Sequence, residues 1–160
     1  MPSAHAIIVC PGSATELAGL LRDLDVLAGA IPHVQRVEKV SETVANWTVT
    51  TKIGFVSRTS VFRGEVLPGD ERTVRFRAVA PEATVEGSVE LVPRSPEETE
   101  LKVSLEMRGQ GALRAIIDNL VDRQLPQDVQ SFAAAIRRQL LARSAAGAPA
   151  TSAPTGAQGR

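Results

Sequence analysis

Catalysis needs groups that can move protons, attack carbon or hold a metal, so the histidines, the cysteine and the spaced carboxylates are considered first. The chain has two histidines, His5 and His33. Neither stands near a cysteine or carboxylate cluster, so a zinc site is not expected. His33 follows Pro32 at the start of a strand pattern and reads as a rim histidine rather than a general base. Cys10 is the only cysteine, which rules out an intramolecular disulfide or a Cys-cluster metal site. It lies in the apolar run 6–10 and reads as a buried strand residue; the run is too short and lacks the basic flank of a secretory leader. Glu65, Glu86, Glu90 and Glu106 all fall on the polar parity of strand-like segments. Asp118 and Asp122 stand four apart on a helix, where they are expected to be solvated neighbours. Gly109-Gln110-Gly111 lacks the further glycine and the lysine of a phosphate loop. The residues therefore assign no catalytic group and no metal ligand.

What remains is an apolar set, and its spacing shows which elements carry it. Trp47, Phe62, Val66, Val74, Phe76, Val89, Leu105 and Met107 belong to segments in which apolar and polar residues alternate. Such alternation predicts antiparallel strands with one dry and one wet face. Gly64, Ala78 and Gly87 share the dry parity, and small residues there are expected to leave space in a curved sheet. Turns are predicted at 68–70 and 93–98. After Gly109 and Gly111 the period changes to 3.6, and Leu113, Ile116, Ile117 and Leu120 open an apolar stripe that runs on to Leu140. Pro126 lies inside it and predicts a kink or break over 124–127. The twelve sheet and helix residues named form a ligand cavity chosen by shape and hydrophobicity.

The beginning of the chain supplies the rest of the architecture. A strand over 5–10 is broken by Pro11-Gly12, and Ser13 with Glu16 makes a capping box for a helix bearing Leu17, Leu20, Leu21 and Leu24. A second short helix over 25–30 ends before Pro32. The order predicts an α+β helix-grip fold: a curved antiparallel sheet of about six to seven strands wrapped around a long C-terminal helix, with two short helices after strand 1. Residues 1–143 form that domain, and 144–160, made of Ala, Gly, Pro, Ser and Thr with a terminal Arg, read as a disordered tail.

Composition narrows the partners. The 160 residues carry 18 basic and 18 acidic side chains. A neutral chain lacks the field that nucleic-acid binding rests on, and nucleic acid is not an expected partner. Aromatic residues are 3% of the chain and tyrosine is absent, which weakens base stacking or a phenol acid further. From Met107 onward seven arginines stand against three aspartates. Arg137, Arg138 and Arg143 in that stretch read as a solvated helix face, with docking on anionic lipid or an acidic partner as the alternative. No stretch reaches the length of about 18 apolar residues that a membrane span needs.

These residues resemble the SRPBCC (START-like, Bet v 1-like) superfamily over about residues 4–142. The chain is most similar there to the CoxG family, named for carbon monoxide dehydrogenase. Residues 24–32, LDVLAGAIP, resemble that family's D-P-x-x-L-x-x-x-I-P-G passage. Lys52-Ile53-Gly54-Phe55-Val56 followed by Phe62-Arg63-Gly64-Glu65-Val66 resembles its K-x-G-P-x-x-x-x-F-x-G-x-V hairpin. Val26 and Phe55 replace prolines of the pattern, and His33 stands where glycine is usual. The resemblance implies a non-enzymatic accessory of a molybdenum-containing carbon monoxide dehydrogenase-type hydroxylase. It also implies membrane attachment or the handling of a quinone-like lipid. A cytoplasmic protein, peripheral on the inner membrane surface, is then expected, with no cofactor beyond a bound lipid or quinone. The alternatives are a polyketide cyclase or aromatase-like enzyme on the same fold, for which Arg63, Arg75 and His33 are the first candidates, and a pure assembly factor.

Overall fold

Local signals decide where the first elements begin. In a computed structural model, which describes residues 3–31, 33–53 and 55–147, β1 (Ser3–Pro11) ends at Gly12, and the Ser13 hydroxyl accepts the Glu16 backbone N–H at 3.2 Å. That cap starts α1 (Ala14–Leu21), which buries Leu17, Ala18 and Leu21. The Asp23 carboxylate accepts the Asp25 N–H and starts α2 (Leu24–Ala30). A meander of six strands follows: β2 (Val34–Lys39), β3 (Val44–Ile53), β4 (Val56–Leu67), β5 (Thr73–Ala80), β6 (Ala83–Ser95) and β7 (Glu98–Gly109). A single 3-10 turn (Gly111–Leu113) leads into α3 (Arg114–Gly147), of 34 residues.

All seven strands join one antiparallel sheet in the order β1-β7-β6-β5-β4-β3-β2. The alternation sets its faces: Val74, Phe76, Ala78 and Ala80 are buried along β5 while Arg75, Arg77 and Val79 are exposed. α3 lies across the inner face and packs mainly on β1, β7 and α2. This is the helix-grip fold.

Four local expectations are corrected. α3 runs through Pro126 without a break. Pro126 is exposed, and the buried Leu125 and Val129 on either side hold the helix against the loss of one backbone bond. The turn expected at 93–98 is narrower, because β6 continues to Ser95 and Pro93 pairs with Thr99 beside a register shift. β2 had no alternating signal: its half-buried residues, Val34 and Val37, are three apart, and a bulge between Val34 and Arg36 resets the pairing. Asp118 is not a solvated neighbour of Asp122. It is half-buried and accepts the Gly109 N–H at 2.7 Å, tying the start of α3 to the end of β7. Ser144, at the start of the expected tail, is still helical, and residues 148–160 lie outside the described residues.

Candidate functional site: an apolar interior with one uncovered end

The sheet side of the expected ligand set is dry. Trp47, Phe62, Val66, Val74, Phe76, Val89 and Leu105 are all buried, and Met107 is half-buried. Trp47 on β3 is flanked by Val37 of β2 and Phe62 of β4, which places these three side chains in one cross-strand row. The glycines opposite the rings do not leave gaps. A Cβ on Gly64 would lie 2.9 Å from the Trp47 ring, and one on Gly87 only 2.2 Å from the Phe76 ring. The small residues of the sheet are seats for aromatic rings, so the space expected at Gly64 and Gly87 is filled.

The helix side is divided. Over its second half α3 is fully engaged: Val129, Phe132, Ile136 and Leu140 are buried, and the Phe132 ring meets Phe76 edge to face with centroids 5.6 Å apart. Over its first two turns it is not. Leu113 and Ile117 are half-buried, Ile116 is 52% exposed and Leu120 is 37% exposed. Below them Val85 and Met107, a cross-strand pair of β6 and β7, are also only half-buried. The helix is nevertheless pinned there, since a Cβ on Gly109 would meet Ile117 Cβ at 2.9 Å. The structure thus brings the sheet residues together in a dry floor and leaves Leu113, Ile116, Ile117 and Leu120 as a partly uncovered apolar rim.

Two polar features of this region had no clear sequence signal. The Trp47 indole Nε1 is buried and has no hydrogen-bond partner among the described residues. A buried donor left unpaired costs about 1–3 kcal/mol. Near the rim, the Glu82 carboxylate on the β5–β6 turn accepts from the Ser60 hydroxyl and from Arg58 Nε at 3.1 Å. These contacts hold the β3–β4 hairpin against the neighbouring turn. The Ser60 hydrogen bond, with smaller help from Arg58, holds the Glu82 carboxyl below its ordinary pKa despite the opposing effect of burial. Beyond that tie the hairpin ends in Phe55, which is fully exposed.

The remaining candidates lie elsewhere. Arg63 and Arg75 are exposed, on the parity opposite the buried Gly64 and Phe76. His33 is exposed and adopts φ 68, a left-handed conformation that explains why glycine is usual there. Arg137 donates to the Val9 carbonyl at 3.1 Å, Arg143 stands 3.7 Å from Asp23, and Arg138 is exposed; all three belong to the far, closed end of α3. Cys10 is buried beneath that end, where burial raises its thiol pKa and the Arg137 charge partly offsets the rise. No helix among the described residues is long and apolar enough to cross a membrane.

Comparison with known proteins agrees with this architecture. The family model for the G-type subunit of carbon monoxide dehydrogenase (CoxG) matches residues 12–141. No curated protein matches. Among solved structures, a Thermus thermophilus protein is 20% identical with a TM-score of 0.70, over 89% of this chain and 99% of that one. A START superfamily protein from Mycobacterium smegmatis is 14% identical with a TM-score of 0.66, over 88% and 98%. The Zhui aromatase/cyclase from a Streptomyces is 15% identical with a TM-score of 0.62, over 95% and 98%. At these identities the structural likenesses speak to the fold alone.

Proposed function

The chain belongs to the carbon monoxide dehydrogenase CoxG family, and we propose that it is a non-enzymatic accessory protein that takes an apolar, lipid-like ligand between its sheet and α3. A quinone is the ligand class that fits best. In this reading the protein serves a molybdenum-containing carbon monoxide dehydrogenase-type oxidoreductase at a membrane surface. The observation that carries it is the uncovered rim of Leu113, Ile116, Ile117 and Leu120 above a dry sheet. Apolar side chains left half in water beside an apolar floor gain free energy when another apolar body covers them.

The chemistry of the ligand follows from the surroundings. Burial gains about 0.8 kcal/mol per methylene, so about ten buried carbons of an isoprenoid or acyl chain approach micromolar affinity before association costs. The unpaired Trp47 N–H favours a ligand that also brings an acceptor oxygen, as a quinone carbonyl does. Membrane contact is assigned to the same end, because Phe55 on the β3–β4 hairpin is fully exposed and apolar with the exposed Lys52 close by in the chain.

Trp47 is the only tryptophan, so its emission reports on the interior without labelling. Titration of the full chain with short-chain benzoquinones and naphthoquinones is expected to quench that emission saturably at one equivalent. Leu120→Asp is expected to weaken the binding at least ten-fold while the thermal midpoint changes little. Absence of saturable quenching by every quinone offered, together with no lipid released on denaturing the protein from its own host, overturns the proposal.

A further inference from the structure

We propose a second site, separate from the interior, that binds a phosphate-type oxyanion at the outer corner where β5, β6 and β7 meet the start of α3. The corner holds a hollow of about 350 Å³ lined by Arg77, Thr84, Arg108, Gln110 and Arg114, with Gly109 and Gly111 at its back. Three guanidinium groups from three different elements line one hollow, and among the described residues no carboxylate lines it. Grouped cations repel one another, and an oxyanion placed among them relieves that repulsion.

The supply of counter-charge is incomplete. Arg77 Nε stands 3.7 Å from Glu86, and Arg114 Nε stands 3.7 Å from Asp118, both at the long limit of an ion pair. Asp118 is also committed to the Gly109 N–H. Arg108 is exposed and has no ion-pair partner among the described residues. Arginine presents a planar fork of donors that matches two oxygens of a phosphate, so groups held this loosely can turn to a better acceptor.

The walls are fixed in advance. Gln110 donates from Nε2 to the Ala80 carbonyl at 2.7 Å and from its backbone to the Glu82 carbonyl at 2.8 Å, and Thr84 Oγ1 donates to its Oε1 at 3.4 Å. Gly111 adopts φ 73, and a Cβ there would meet nothing nearer than 4.0 Å, so the chain turns into α3 with open space beside it. The hollow exceeds the size of inorganic phosphate and suits a phosphate carrying a small alcohol. That chemistry is shared by soluble phosphate esters and by the headgroups of anionic phospholipids. The site does not depend on whether the interior takes a ligand.

The test uses the full chain in two arms. Glycerol 3-phosphate is titrated by calorimetry at low salt, and co-sedimentation is measured with phosphatidylglycerol vesicles against pure phosphatidylcholine vesicles. Binding in the calorimetric arm identifies a soluble ester; binding to phosphatidylglycerol vesicles alone identifies the headgroup. In either arm the double variant Arg108→Gln, Arg114→Gln is expected to bind at least ten-fold more weakly. Lys102→Gln, which removes an exposed charge on the same strand away from the hollow, is expected to bind as the parent does. Circular dichroism and the thermal midpoint check that the variants are folded. No binding in both arms, or equal loss in the Lys102 variant, overturns the site.

Discussion

The two halves of α3 have the same kind of sequence and opposite surroundings. In the second half Phe132 and Ile136 are fully buried against the sheet, whereas in the first Ile116 is 52% exposed. Both halves carry apolar residues at helical spacing, so amphipathicity alone does not separate them. The difference lies in what each half lies over. The second half meets α2 and the rings of the sheet, with Phe76 brought up by Gly87. The first half is anchored at Gly109 by Ile117 and by the Asp118 cap, and its other apolar side chains are left over half-buried Val85 and Met107. One half supplies stability and the other supplies uncovered apolar surface, which is where a binding function is most cheaply placed.

The strongest way to break this comparison is to truncate each half in turn. Phe132→Ala is expected to cost about 3–5 kcal/mol in urea unfolding, as for other fully buried aromatics. Ile116→Ala is expected to cost less than about 0.5 kcal/mol, as exposed substitutions do. Equal costs would show that the two halves are packed alike. Gly87→Ala sharpens the account of the floor. Its Cβ has no room beneath the Phe76 ring, so a loss of about 1–3 kcal/mol is expected. A neutral result would mean that the ring has space to move.

Asp118→Ala tests the anchor at the start of the helix. It leaves the Gly109 N–H without its acceptor and is expected to cost about 1–2 kcal/mol. Amide exchange should quicken in the first two turns of α3 and not around Phe132. The smallest effect concerns the Glu82 tie. Its carboxyl has a lowered pKa in the folded protein, so the ionised form is favoured by folding. The contribution is therefore present above the ordinary carboxylate pKa and is lost as pH falls through the lowered folded value. Glu82→Gln is expected to narrow the stability difference between neutral and acidic pH slightly. An unchanged acid profile would remove Glu82 from that account.

Much of this was legible before the fold was seen. Alternation from Trp47 to Met107 announced the sheet and its dry face, and the capping box at Ser13 announced α1 to the residue. β2 was not legible, because a strand with a bulge near its start loses the period of two on which recognition depends. The glycines on the dry parity were legible as small but not as occupied. Whether a gap stays open is decided by a ring on the neighbouring strand, which no local pattern encodes.

The sequence by itself determined the order of elements, the face each strand buries and the family, because hydrophobic period, caps and turn residues act over a few neighbours in the chain. Only the tertiary structure decided that Phe76 fills the place of Gly87, that Glu82 joins two hairpins, that three arginines line one hollow, and that half of one amphipathic helix is covered and half is not. Those are distances between residues far apart in the chain, set by sheet register and by where α3 crosses it.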